Sequence, residues 1–368
     1  MVRRLLYLNG IAILSVILFH ATGQGFVAVF AWAHRYAPGA APYAQMGSPS
    51  YYALRLIEQV VVVAIPAFLF VSGFFMAVAA GRTRATVSWQ TVFNRIKYLV
   101  APYLVWTVVA LVLALAQGKR FSIGDLVAIL LTGRISPVLY YVPLLCQFYL
   151  LSPWLVRAAR ADWKLLLALA AALQIAVQLT PYPTFWGLDL ASKQQLLNLV
   201  PKWLFLARIF WFTLGIVVGF HLDLFKRALA RVRWPLLVLT LILIPLGVAE
   251  WEIYVHLSGV DWLAHRETLL DSVYALGFLG CFVAFDRARL PLEDAIGALG
   301  ARSYGIYLTH ALVMENIARV LYHAAPTLLA YQSLLQPILI VSGLGLPLLA
   351  MAIVRRMSVA RFYVYLFG

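Results

Sequence analysis

Residues 5–21 read LLYLNGIAILSVILFHA. The run is apolar and long enough to enter a bilayer as a helix, yet it carries two polar groups, Asn9 and His20. Eleven helical positions are about three turns, so the two side chains fall on nearly the same face, roughly 16 Å apart along the axis. A histidine inside a membrane helix is costly unless it faces protein or water. His20 is therefore either a packed hydrogen-bond partner of a neighbouring helix or a working group in a polar cavity.

The rest of the chain says what kind of bundle holds that helix. Of 368 residues, 64% are hydrophobic and only 12% are charged, and the mean hydropathy is +0.89. A soluble domain would carry about 25% charge. Apolar runs of about 20 residues recur, and lipid offers no partner for open backbone groups, so these runs must be helices. A transmembrane β-barrel would show strict alternation, which is not visible. The fold class is all-α: a polytopic transmembrane bundle of about ten helices. The predicted spans are 5–30, 54–80, 97–117, 137–156, 164–180, 203–220, 234–256, 268–286, 303–322 and 333–354. Pro66, Pro102, Pro143, Pro245 and Pro347 fall inside or near spans. They predict kinks whose freed carbonyls need partners, and such breaks often line cavities. The longest connections, about 31–53, 118–136 and 181–202, leave no room for a large soluble domain. Residues 1–368 read as a single integral membrane domain. The first and third connections hold Pro, Gly, Tyr and Trp with little charge, as loops folded over the outer mouth of the bundle would.

The net charge is +15. In a soluble protein that would point to nucleic acid. Here most Lys and Arg sit in short loops between apolar runs, where positive-inside topology and contact with anionic lipid explain them, and no nucleic-acid partner is expected. With the N-terminus in the cytoplasm, well over half of the 29 Lys and Arg fall inside, which predicts both termini cytoplasmic in a cell (inner or plasma) membrane. Glu250, Glu252, Asp261 and Glu267, after the seventh span, fit an outer face. Arg3 and Arg4 before an apolar core, with Ala31-Trp32-Ala33 beyond, resemble a signal peptide. Cleavage would discard His20 and the first of an even set of spans, so 5–30 is read as a retained helix. Cys146 and Cys281 lie in apolar runs and give neither a disulfide framework nor a metal spacing, so no metal is predicted. No phosphate loop or nucleophile elbow is present. No internal repeat of the kind secondary transporters carry is visible either.

Four stretches carry chemistry. They are LNGIAILSVILFH at 8–20, FLFVSGFFMA at 68–77, FNRIKYLVAPYLVW at 93–106 and SYGIYLTHALV at 303–313. LYYVPLLCQFYLLSPWL at 139–155 and WFTLGIVVG at 211–219 add weaker matches. Each is mostly apolar and unspecific alone. In this order and spacing they resemble the acyltransferase-3 family of integral membrane O-acyltransferases. His20 matches the family's histidine in the first helix. Asn9 stands where the family has an arginine, eleven positions earlier. Ser72-Gly73 is similar to the Ser-Gly-Phe segment of helix two. Arg95, with Lys97 beside the second basic position, is similar to the basic approach to helix three. His310 falls in the Ser-Tyr-Gly-Ile-Tyr-Leu-x-His helix.

The resemblance implies transfer of an acyl group, often acetyl, from a cytoplasmic acyl-CoA to a hydroxyl of an envelope carbohydrate or lipid-linked saccharide. Acetyl-CoA or another acyl-CoA would be a co-substrate, with no permanently bound cofactor. The residues suit that chemistry. An alcohol is a poor nucleophile at neutral pH, and a neutral imidazole can take its proton as the C–O bond forms, a general-base effect of roughly 10²–10⁴-fold. His20 is the expected base, with Asn9, Glu58 and His310 as possible support. CoA phosphates need cations. Arg82, Arg84, Arg95 and Lys97 cluster at the cytoplasmic mouth, where ordinary positive-inside anchoring is the plainer reading for Arg82 and Arg84. Ser72 and Gly73 serve either close helix packing or passage of the pantetheine arm. Asn9 can hydrogen-bond but offers neither a permanent charge nor a bidentate fork. Either another cation fills that role, or CoA binds differently, or catalysis is impaired. Arg55 and Glu58, three apart on one helical face, predict a local ion pair. Trp186 and Trp211 are candidates to stack on a carbohydrate. The alternative function is a transporter or flippase of a lipid-linked glycan, with Asn9 and His20 lining a polar path. The partners expected are acyl-CoA, the saccharide acceptor and membrane lipids; the sequence leaves the oligomeric state open.

Overall fold

The computed structural model describes residues 2–37, 47–81, 83–186, 200–259, 267–357 and 360–368. Every described element is helical, with no strand among the described residues. The helices are α1 Val2–Phe26, α2 Pro49–Val61, α3 Ala64–Ala80, α4 Trp89–Ala116, α5 Ile123–Thr132, α6 Tyr141–Ala161, α7 Trp163–Gln178 and α8 Tyr182–Phe185. They continue with α9 Ile209–Phe220, α10 Leu222–Arg231, α11 Arg233–Ser258, α12 Leu269–Ala284, α13 Glu293–Ala301, α14 Ser303–Ala324, α15 Gln332–Arg356 and α16 Tyr363–Phe367. Each of the ten sequence-predicted spans contains a helix. Among the described residues six helical stretches are long and apolar enough to cross a membrane, or seven if the bent α9–α10 pair is one span. The shortfall from ten has a simple cause. α7 and α12 have 16 residues each, too few for an upright span, and α14 is long enough but carries Glu315 and Arg319.

The second predicted span, 54–80, is broken. Pro66 has no N–H, and its ring clashes with the carbonyl four residues back, that of Val62. The helix duly stops at Val61 and restarts at Ala64. α1 ends in a wider turn at Val27–Ala31, closed by Trp32 N–H to the Val27 carbonyl at 2.9 Å. The fourth span begins at Tyr141 rather than 137, and residues 133–140 run irregularly through the bundle with Val138 and Leu139 buried. Irregular backbone at such depth persists only where protein satisfies its polar groups. Tyr307 O–H donates to the Val138 carbonyl of this segment, and Tyr103 O–H to those of Ile129 and Leu130, in the last turn of α5 before it, at 3.1 and 2.9 Å.

Small residues bring the central helices together. A Cβ on Gly73 would run into the Phe212 carbonyl, and one on Gly215 into that of Phe70, so α3 and α9 touch backbone to backbone. Gly10 meets Ile296 and Gly300 meets Leu6 in the same way, seating α13 against the first half of α1. Arg4 donates to the carbonyls of Phe285 and Ala288 at 2.9 and 3.0 Å, and Arg160 to that of Gly81 at 2.5 Å. These bonds tie one end of the bundle, called here the N-terminal end.

Candidate active site

The broken span and the wide turn face each other across a cavity of about 440 Å³. Val16, Phe19, His20, Gly23 and Val27 of the first helix form one wall, and Glu58, Val61, Val62, Ala64 and Ile65 form the second around the Pro66 break. Pro137, Val138 and Tyr140 of the irregular segment, with Tyr307, form the floor. Gln178, Lys202, Arg208 and Glu267 lie towards the end opposite Arg4. His20 is half-buried and lines this space.

Behind His20 stands His310, its ring centroid 5.3 Å away. His310 is fully buried. Its Nδ1 lies 3.1 Å from the Ile306 carbonyl and 2.8 Å from that of Tyr307. Carbonyl oxygens only accept, so Nδ1 carries the hydrogen, and in the neutral ring Nε2 holds the lone pair. That Nε2 has no hydrogen-bond partner among the described residues. Asn9 Oδ1 and Gln178 Oε1 are also buried acceptors without a partner among the described residues.

Charge enters the cavity wall in pairs. Arg55 donates to Glu58 at 2.8 Å; both are buried, so the ion pair expected from their spacing forms without reaching for water. The Arg55 guanidinium lies 4.4 Å over the Phe26 ring, with Tyr51 and Trp251 at 5.3 and 5.6 Å, and Tyr51 O–H continues to Glu252 at 2.7 Å. Arg208 donates to Glu267 at 2.5 Å and to the Lys202 carbonyl at 3.1 Å, over the Tyr140 ring at 5.5 Å. Gln178 donates to Ser272 at 2.7 Å, leaving its own oxygen buried without a partner. Sequence reading missed Arg208, Gln178 and Tyr140 as site residues. The signal was there: a charged or amide side chain beside an apolar run pays for itself only against protein or a wet cavity.

Other sequence-chosen residues lie elsewhere. Asn9 is outside the His20 cavity, where α1 packs on α13, and its Oδ1 is buried without a partner. Gly73 faces the Phe212 carbonyl, where α3 and α9 pack closely. Trp211 is buried, its ring beside Phe210, and cannot stack on a carbohydrate; Trp186 is exposed against Tyr182. Arg82 lies outside the described residues. Arg84 and Lys97 are exposed.

Arg95 lines a separate recess of about 400 Å³ with Tyr98, Leu99, Tyr149 and Tyr304. Its guanidinium sits 5.7 Å over the Tyr149 ring and reaches the Phe75 carbonyl at 3.4 Å. The recess and the His20 cavity share no lining residue, yet Tyr304 lines one and Tyr307 the other. Three helical positions are about 4.5 Å of axis, so one turn of α14 separates them. The Tyr141 ring, 5.3 Å from that of Tyr307 and 6.0 Å from Phe68, fills the partition.

A family model described as an acyltransferase domain matches residues 4–356, nearly the whole chain. The chain belongs to the acyltransferase-3 family. No curated protein and no solved structure matches it. Membership in acyltransferase-3 supports membrane acyl transfer, with an acyl donor and an acceptor substrate, by a multi-pass membrane protein. Among the described residues no three His, Cys, Asp or Glu side chains converge as metal ligands would.

Proposed function

We propose that this acyltransferase-3 protein moves an acyl group, most simply acetyl, from acyl-CoA to a hydroxyl of an envelope carbohydrate or lipid-linked saccharide, with His20 as general base. The observation that carries this reading is the imidazole pair: His20 in the cavity wall, and His310 behind it with an unused Nε2. The acceptor hydroxyl enters from the end lined by Gln178, Lys202 and Arg208. His20 removes its proton as the oxygen attacks the thioester carbonyl. The tetrahedral intermediate collapses, the C–S bond breaks, and the proton returns from His20 to the leaving thiolate. His310 Nε2 receives an N–H of the His20 imidazolium, holding that ring while it is charged; its Nδ1, bonded to the main chain, cannot turn away. Glu58, fixed by Arg55, places a carboxylate already paired with a guanidinium in the same wall.

The donor approaches from the N-terminal end, read as cytoplasmic, with its phosphates at Arg95 and Lys97, Arg84 further out. The pantetheine arm crosses the partition at Tyr304, Tyr307 and Tyr141. Asn9 supplies no cation, so on this reading Arg95 carries the larger share of phosphate binding. Residues 1–368 act as one catalytic unit in a cell membrane.

The test uses purified full-length protein in liposomes with radiolabelled acetyl-CoA and a saccharide acceptor. His20→Ala is expected to lower transfer by at least about 10²-fold with an unchanged melting profile. Full transfer by that variant overturns the role of His20. Acceptor crossing the liposome without consumption of label replaces the enzyme reading by transport.

A further inference from the structure

A second cleft, of about 950 Å³, lies at the N-terminal end where Arg4 binds the Phe285 and Ala288 carbonyls. It is bounded by α10, the turn after α12 and the start of α11. α10 leaves the preceding helical segment at 100°. A helix bent so far does not continue the span before it, and the charged face of α10 suits the membrane surface. Leu222, Phe225 and Leu229 pack against the core, leaving Arg227 and Arg231 on the other side and Lys226 on the flank.

Four cations, Lys226, Arg227, Arg233 and Arg287, line the cleft against two carboxylates, Asp223 and Asp286. Lys226 pairs with Asp286 at 2.9 Å. Among the described residues Arg227, Arg233 and Arg287 form no ion pair, and all three are exposed. Arg233 instead lies over the rings of Trp234 and Phe285, at 5.7 and 5.9 Å. Topology alone calls for cations at this end, but not for a hollow lined by them.

The cleft continues into an apolar stripe. Trp234, Val238 and Leu241 are one and then nearly two turns apart on the same face of α11, and are 61%, 54% and 56% exposed. The stripe starts at the cleft and runs away from it down the span. A soluble phosphate compound would need the cations and have no use for the stripe. An anionic phospholipid would use both.

We propose that this cleft binds the phosphate headgroup of an anionic phospholipid, with an acyl chain lying along Trp234, Val238 and Leu241. The site is independent of the acyl-transfer reading. Arg227, Arg233 and Arg287 contact the phosphate, beside the Lys226–Asp286 pair.

Native mass spectrometry of the delipidated full-length protein in detergent, titrated with phosphatidylglycerol or phosphatidylcholine, tests it. Each unpaired cation near a lipid phosphate contributes about five-fold in affinity. Wild type is expected to bind phosphatidylglycerol more than ten-fold tighter than phosphatidylcholine. The triple variant R227Q/R233Q/R287Q should lose roughly a hundred-fold, and R287Q alone, at an exposed position that does not threaten folding, about five-fold. R356Q, a cation outside the cleft, should change nothing. Equal binding of the two lipids overturns the proposal, as does phosphatidylglycerol affinity that R287Q and the triple variant leave unchanged. Displacement of the lipid by inorganic phosphate or CoA at matched concentration also overturns it, and marks the cleft as a site for soluble phosphates. Failure of acyl transfer in any of these proteins leaves the lipid measurement as it stands.

Discussion

Around the His20 cavity each arginine sits on a carboxylate, Arg55 on the lining Glu58 and Arg208 on Glu267. In the cleft beneath α10 three arginines have none among the described residues. The residue types are the same; the depth differs. A guanidinium removed from water costs several kcal/mol unless a carboxylate and further hydrogen bonds surround it. At the surface the same group stays solvated and keeps its charge for a ligand. The comparison separates structural charge from available charge.

The sharpest way to break this contrast is to remove one member of a buried pair. Arg55→Met leaves Glu58 in the wall without its guanidinium, and is expected to cost about 3–5 kcal/mol. Arg55→Met/Glu58→Leu should recover most of that loss, because the charge that needed compensation is gone. Equilibrium unfolding in mixed micelles checks both. Equal destabilisation by single and double variants would mean that packing of Arg55 between Phe26, Tyr51 and Trp251, rather than charge pairing, holds this wall.

A neutral version of the same rule is expected to cost less. Tyr103 O–H serves the Leu130 carbonyl at the end of α5, where helix carbonyls lose their own donors, and shares the Ile129 carbonyl with the Gly133 N–H at 2.8 Å. Tyr103→Phe should cost about 1–3 kcal/mol. Tyr307→Phe should cost less, because the Val138 carbonyl also takes the Tyr141 N–H at 3.3 Å. Unfolding measurements on the two variants rank them; the reverse order would mean that the irregular segment depends on Tyr307 more than on its own backbone.

The depth rule also decides what the sequence could tell. Apolar run length located a helix at all ten predicted places, since lipid leaves the backbone no alternative. Pro66 announced the break beside the cavity through its missing N–H. The spacing of Arg55 and Glu58 announced their pair. α5 was read as loop, although Ser122, Asp125 and Gly133 cap it at both ends, because ten residues are too few to register as a span. α10 was missed for the converse reason: its polar face hides a short surface helix from any search for apolar runs. Arg208 and Glu267 are separated by 59 positions, and Gln178 and Ser272 by 94. Such pairings depend on how helices are arranged, which periodicity does not encode. His310 beside His20 is of the same kind: the motifs put both in the molecule, and only the packing puts their rings 5.3 Å apart.

The smallest effect lies at the surface end, on the one cleft cation that is paired. A hydrogen bond from Lys226, and then the positive charges of Lys226, Arg287 and Arg4, hold the Asp286 carboxyl below the usual carboxylate range. A carboxyl depressed in the folded protein contributes stability above its unfolded pKa of about 4, and that contribution is lost as pH falls through the folded value. Both side chains are 28% exposed, so screening limits the contribution to less than about 1 kcal/mol. Asp286→Asn should therefore melt slightly below wild type at pH 7, with the gap closing as the pH falls below about 4. The same substitution removes one negative charge from the cleft. If the cleft charge is available to a ligand, phosphatidylglycerol binding tightens while the fold weakens. If both fall together, Lys226 and Asp286 belong to the structural kind of charge found around His20, and the division between the two ends fails at this pair.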